Sequence, residues 1–312
     1  MPADVVIDGS VVVAERDGHG AVVLTVGSTA LEVLPGLGLL GASLRVRGRE
    51  FLDLHGGPAV ASEGHTTGLP LLAPWANRLE ERYRVGSRTV DLGGLDLHRD
   101  GNGLPIHGLL VGRAGWELVS VQPRVATAAA TFRFDAAADD EVMAAFPFPH
   151  ELVVGFTVSD GRVTVATTLV ATGRRPVPVS FGWHPYFTLP DVDRARIRLG
   201  LPARHRLVVD DRGLPTGEEV AEPASITRIA DRLFDDGHRL GRERQVLLAS
   251  GRRRLGLTLD RNYPFLQIFT PPSTDAIALE PMTAATDALA RGTTPMVAPG
   301  ERFTARFAIS PA

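Results

Sequence analysis

The chain has 312 residues, of which 44% are hydrophobic and 22% charged, and a formal net charge of −3. Such a chain can bury a sizeable core, and its charge gives no bulk attraction to nucleic acid or to an acidic membrane surface. It has no cysteine, and all 33 basic residues are arginine, so disulfides, thiolate chemistry, Schiff bases and the lysine of a phosphate-binding loop are excluded.

The first 20 residues contain no basic stretch leading into an apolar one, and no apolar run approaches the ~18 residues of a membrane helix. A cytoplasmic protein without membrane contact is expected. From residue 5 onward short apolar, β-branched runs follow one another, at 5–15, 21–28, 29–35, 43–48 and 84–92. They continue at 115–123, 126–134, 150–159, 162–171 and 176–183. Turn residues separate most of them at the spacing of a sandwich or barrel. The clearest unit is 150–171, two alternating runs joined at Asp160-Gly161, a hairpin signal. Further runs lie at 195–202, 205–211, 244–250, 253–260, 264–271, 277–281 and 302–310. Helical periodicity is confined to 137–146, with a helical turn near 284–290. The sequence therefore predicts an all-β fold, a large antiparallel β-sandwich with few short helices, formed as one domain over residues 1–312. The 33 glycines and 23 prolines fit many turns and long loops around a cleft.

Four segments carry side chains that plain sandwich strands do not need. In 71–83, "LLAPWANRLEERY", Trp75, Asn77 and Arg78 place a flat ring, an amide and a guanidinium close together, as a sugar site requires. The same residues also describe a packed loop with a solvated arginine. In 104–116, His107 stands between Ile106 and Gly108, a setting equally suited to a structural histidine. In 180–190, "SFGWHPYFTLP", Pro185 biases His184 towards extended backbone, and Trp183, Tyr186 and Phe187 shield its ring. A partly desolvated histidine is a tunable acid or base, or simply a core residue. In 276–289, "AIALEPMTAATDAL", Glu280 ends an apolar strand and also precedes proline; a carboxylate there is costly unless it is paired or reaches a cleft. None of the nine histidines shows His-x-His or His-x-x-x-His spacing, and neither a metal nor a cofactor is expected.

Taken in order, "NRLEERYRV", "LPIHGLLVGRAGWEL", "GWHPYFTLP", "FDDGHRL", "LEPMTAATDAL" and "VAPGERFTARFAI" resemble the aldose 1-epimerase family, the galactose mutarotases, from about residue 69 to the C-terminus. The resemblance implies a galactose mutarotase-like sandwich with its site in a cleft on one broad sheet. It implies Glu280 as general base, His184 as general acid, and His107 and Arg78 as substrate-positioning residues. Asp235, with Asp236 beside it, corresponds to the acid that holds sugar hydroxyls, and Asn77 assists Arg78. Trp75 or Trp183 is a candidate to stack on the ring. Met282 stands where many members carry an amide, Thr286 where many carry proline, and the His107 segment lacks a doubled glycine.

The activity implied is interconversion of the α and β anomers of a free aldohexose, with Glu280 taking the C1 proton and His184 protonating the ring oxygen. The partner is a small sugar, the chain a monomer or homodimer, and the geometry expected is an imidazole facing a carboxylate across a cleft about one ring wide. Three alternatives remain. A hexose-6-phosphate epimerase would need Arg82, Arg84, Arg99 and Arg113 to converge. A non-catalytic sugar-binding protein would need no acid–base pair. A glycosidase would use Asp235 or Asp287 together with Glu280.

Overall fold

A computed structural model describes residues 9–312. Residues 5–8 of the expected first strand lie outside the described residues; the strand is seen as Gly9–Arg16. Antiparallel strands form two broad sheets that face each other. One has nine strands, in the order Ser225–Arg228, Arg198–Leu201, Gln245–Ser250, Arg253–Leu259, Arg302–Pro311, Arg162–Ala171, His150–Ser159, Thr127–Asp135 and Glu117–Arg124. The other runs Pro215–Glu222, Arg204–Val209, Asp235–Leu240, Phe265–Phe269, Ile277–Met282, Gly182–Trp183 and Leu71–Leu72, with Tyr186–Phe187 also paired to Ile277–Met282. An N-terminal sheet of five strands, Gly9–Arg16 to Arg49–Glu50, packs against the nine-stranded one.

Period-two alternation builds the nine-stranded sheet. In Thr127–Asp135, Ala128, Ala130, Phe132 and Phe134 are buried while their neighbours are partly exposed. The hairpin at Asp160-Gly161 forms with Ser159 opposite Arg162, and the Asp160 carboxylate accepts from the Ser28 N–H and hydroxyl, which ties the turn to the N-terminal sheet. The 137–146 helix is shorter than expected, Asp140–Ala145, because Asp139 takes the N-cap position and accepts from the Val142 N–H. The turn near 284–290 appears as the helix Ala288–Arg291. No helix among the described residues is long and apolar enough to cross a membrane.

The run 176–183 is not one strand. It divides into Val177–Pro178, paired with Met296–Val297, and Gly182–Trp183, paired with Leu71–Leu72 and Met282. Pro178 cannot donate to a ladder, so pairing lapses before it resumes on another partner. This change of partner brings the chain onto the sheet that carries Glu280. Between the layers, Trp183 packs edge-on against Phe156 and Phe307, and its indole N–H donates to the Thr167 hydroxyl at 2.9 Å. We expect Trp183→Ala to lose about 3–5 kcal/mol of stability, the scale of aromatic truncation in a core, read as a lowered urea midpoint.

Candidate active site

Strand register places the two central groups. Gly182 pairs with Met282 and Tyr186 with Ala278, so position 184 falls directly opposite position 280. The ladder is interrupted there because Pro185 has no N–H; its carbonyl accepts from the Leu279 N–H at 3.4 Å, and the His184 N–H turns to the Pro70 carbonyl at 3.0 Å. Directly opposed residues put their side chains on one face, and His184 Nε2 lies 3.1 Å from Glu280 Oε1. The pair touches. It does not span a gap one sugar ring wide, as the sequence reading expected. Register accounts for the difference: two residues opposed in neighbouring strands of one sheet stand too close for a ring to lie between them.

Both groups are almost wholly buried. Burial pushes the Glu280 carboxyl well above the usual carboxylate range, and the nearby Asp235 adds to the shift. Burial likewise drives the His184 imidazole down, to about 3, with His55 contributing. Both shifts favour the neutral form of each group, an imidazole beside a carboxylic acid that carries the one proton of the contact. The imidazole–carboxylic acid and imidazolium–carboxylate forms differ only in where that proton sits, so the proton belongs to the pair. The His184 ring stacks on Tyr186 at 4.5 Å, and the Tyr186 hydroxyl lies 2.7 Å from that of Thr66. Glu280 Oε2 and His107 Nδ1 are buried and make no hydrogen bond among the described residues.

The pair forms one wall of a cavity of about 430 Å³, within the range of small-molecule sites. Asn77, Arg78, His107 and Asp235 line it too, with His55, His65, Thr66, His98, Asp100, Ile106, Tyr186 and Phe269. Two loops carry the first three. Asn77 and His107 both have left-handed backbone, at φ 60° and 66°, and the His107 N–H donates to the Asn77 carbonyl. Gly108, also left-handed, lets the loops touch, since a Cβ there would lie 2.2 Å from the Ala73 carbonyl oxygen. The Asn77 amide oxygen accepts from the Arg78 N–H. Arg78 donates through Nε to Asp100 at 2.6 Å and through Nη2 to Asp235 at 3.1 Å. Burial opposes its charge, but the two carboxylates outweigh that and raise its pKa. Burial, with His184 and His98 nearby, holds His107 well below the usual histidine value, as a neutral ring.

Asp235 also accepts from the Gln267 amide at 2.6 Å, and Gln267 sits opposite Glu280 in the ladder. Asp236, one residue on, lies in a different pocket with Arg206, Glu222 and His238, so Asp235 is the member of the pair that meets the cavity. The tryptophans are a correction. Trp75 is 1% exposed and Trp183 fully buried, both inside the main core, so neither offers a face for stacking. The reversal at Asn77 sends Trp75 inward while Arg78 faces the cavity. Tyr186 and Phe269 are the aromatic rings on the wall. The sequence reading also passed over Asp100 and the edge-to-face pair His65–His98, whose ring centroids are 4.9 Å apart. Asp100 was legible in part, since "RDGNG" is an Asx-turn signal: its carboxylate accepts from the Asn102 and Leu104 N–H groups.

The family model described as aldose 1-epimerase matches residues 43–310. The chain belongs to the aldose 1-epimerase family. Among solved structures, a galactose mutarotase-like protein from Clostridium acetobutylicum superposes with a TM-score of 0.87 at 17% identity, covering 98% of this chain and 99% of that one. Galactose 1-epimerase from Lactobacillus acidophilus NCFM gives 0.78 at 17% identity, covering 98% and 99%. The GalM/aldose epimerase homologue from C. elegans gives 0.76 at 15%, covering 97% and 99%. No curated protein matches the sequence. At these identities the neighbours show the fold of this epimerase-family chain.

A carboxyl whose pKa is raised by folding holds its proton more tightly in the folded state. Its contribution to stability therefore falls as pH rises from the unfolded value towards the folded one. Glu280→Gln removes that penalty and keeps the shape. Its thermal midpoint should exceed that of the parent by about 2 °C or more at pH 8 and by less at pH 4.5, in differential scanning calorimetry. A lower midpoint at pH 8 would mean that the ionised carboxylate stabilises the fold.

Proposed function

We propose that the protein is a mutarotase that interconverts the α and β anomers of a free aldohexose, with the chain acting as a single domain around the cavity. The observation that carries this reading is the His184–Glu280 contact at 3.1 Å on the cavity wall, with Glu280 Oε2 making no hydrogen bond among the described residues. A sugar C1 hydroxyl is a suitable donor to Oε2. From the imidazolium–carboxylate form, Glu280 takes the C1 proton while His184 protonates the ring oxygen, and the C1–ring oxygen bond breaks to give the open aldehyde. Rotation about C1–C2 presents the other carbonyl face, and closure returns both protons. The cycle balances within the pair and uses no further reactant.

The remaining groups would hold the sugar. Arg78, fixed by Asp100 and Asp235, offers donors in a set plane, and Asp235 offers an acceptor beside them. Asn77 and neutral His107 supply short-range hydrogen bonds, and Tyr186 and Phe269 supply apolar surface to the ring.

The phosphorylated-sugar alternative loses its main support. Arg82 pairs with Asp91, Arg99 with Glu81, and Arg113 with Asp139 and Glu141; Arg84 is exposed; none of the four lines the cavity. Among the described residues Arg78 is the arginine on the cavity wall, and two carboxylates already hold it. Asp287 does not serve a glycosidase pair either: it accepts from the Glu80 N–H and pairs with Arg291, outside the cavity.

Polarimetry on freshly dissolved α-glucose and α-galactose tests the reading. Parent protein should speed the approach to equilibrium, and Glu280→Gln should lose about 10²–10⁴-fold of the rate, the usual contribution of a positioned acid–base group. Retention of full activity in that variant, or sugar binding without faster anomer exchange, would refute the assignment. Glucose 6-phosphate should be a poorer substrate than glucose.

The pH profile gives a separate check. Because the working state holds one shared proton, kcat/KM should fall at both acid and alkaline extremes, with a broad plateau between set by burial of both groups. A profile still rising at high pH would mean that an ionised Glu280 with neutral His184 is the active form.

A further inference from the structure

The outer face of the nine-stranded sheet carries a trough of about 590 Å³ that the cavity chemistry does not use. Arg196, Arg198, Arg228 and Arg254 surround it, Leu247 and Ile226 floor it, and among the described residues no carboxylate lines it. Register explains the gathering. Arg198 stands opposite Arg228 on one side and opposite Ala249 on the other, and Ala249 stands opposite Arg254. Three guanidiniums thus share one row and one face across four adjacent strands, while Leu199, Leu248 and Leu255 point into the core.

Like charges directly opposite in a sheet are destabilising. Elsewhere this chain gives its strand arginines carboxylate partners: in the same sheet Arg133 pairs with both Glu117 and Glu151, and in the other sheet Arg204 and Arg206 share Glu222. None of the four trough arginines has a carboxylate partner within 4 Å among the described residues, although Arg228 is tied by its Nε–H to the Ala195 carbonyl at 2.8 Å. Ile226 beside them is 73% exposed, an apolar surface inside a basic rim.

We propose that this trough is a binding site for a small multivalent anion of the phosphate type. Guanidinium forks match phosphate oxygens two at a time. Arg198 and Arg228 are roughly 5 Å apart at the backbone and Arg254 lies about two strand spacings, roughly 10 Å, from Arg198, a span that suits two or three linked anionic groups better than one. The volume is that of a small-molecule site. The inference is independent of the reaction in the aldose cavity.

Isothermal titration of the full chain tests it, in phosphate-free buffer at fixed ionic strength, with inorganic tripolyphosphate and adenosine triphosphate as probes. Saturable binding is expected, weakened by about tenfold or more in the double variant Arg198→Thr/Arg228→Thr. It should be kept in Arg174→Ser/Arg175→Ser, which removes the same charge from an exposed turn outside the trough. Equal affinity for the two probes places recognition in the phosphate chain; preference for the nucleotide adds the apolar floor, and either outcome supports the site. Should the double variant not fold, Arg254→Thr makes the same test from another strand. Absence of saturable binding, or an equal loss in the Arg174/Arg175 variant, overturns the proposal.

Discussion

A carboxyl and an imidazole held in contact, in surroundings that penalise a charge on either alone, set the terms for the rest of this structure. The contact needs a dry wall, and the layers supply it: Glu280 lies in a strand whose six residues are all buried, and His184 stacks on Tyr186. It needs fixed geometry, which comes from opposed positions in one ladder. It also needs a polar mouth, and that is built from loops, where Asn77 and His107 hold left-handed backbone against each other over Gly108. Burial disfavours a charge on either member of the pair.

The two X-Pro steps take on a physical sense in this frame. Pro185 and Pro281 each withhold an N–H from the ladder beside the residue that matters. A complete ladder at position 184 would have engaged that part of the backbone in ordinary sheet pairing. Instead the His184 N–H is anchored sideways on Pro70, and the Pro185 carbonyl accepts a longer bond from Leu279. The strand gives up some regularity at the point where the imidazole meets the carboxylate.

Much of this was legible in the sequence, for identifiable reasons. The hairpin 150–171 reads plainly because one face is buried and alternation follows. Glu280 stands out because a carboxylate in an apolar run is expensive, although its strand runs on to Met282 instead of ending there as expected. What escaped detection lacked such a signature. The strand Asp235–Leu240, "DDGHRL", has little β propensity and exists because Arg204–Val209 and Phe265–Phe269 pair with it on either side. Pro215–Glu222 is an exposed edge strand with no buried stripe to betray it. Trp75 was expected beside the sugar because it is two residues from Asn77; a single left-handed residue reverses the chain, and neighbours in sequence face opposite ways. His98 and His65 become neighbours only through loop packing, which no local pattern encodes. That His184 and Glu280 touch, rather than face each other across a gap, follows from a register set by distant segments, which no local pattern encodes.

The split between strand-borne and loop-borne groups has a consequence for how such a molecule can change. His184 and Glu280 depend on a count of residues between ladder positions, so one insertion between Gly182 and Tyr186, or between Ala278 and Met282, would turn one partner to the opposite face. Those stretches can drift in side chain but not in length. The segments around Asn77–Arg78 and His98–His107 carry no such register and can lengthen, shorten or exchange residues while the His184–Glu280 contact stays in place. The architecture separates a digital constraint from an analogue one: the buried contact is fixed by counting, and the loop-borne part of the cavity wall can vary by degrees.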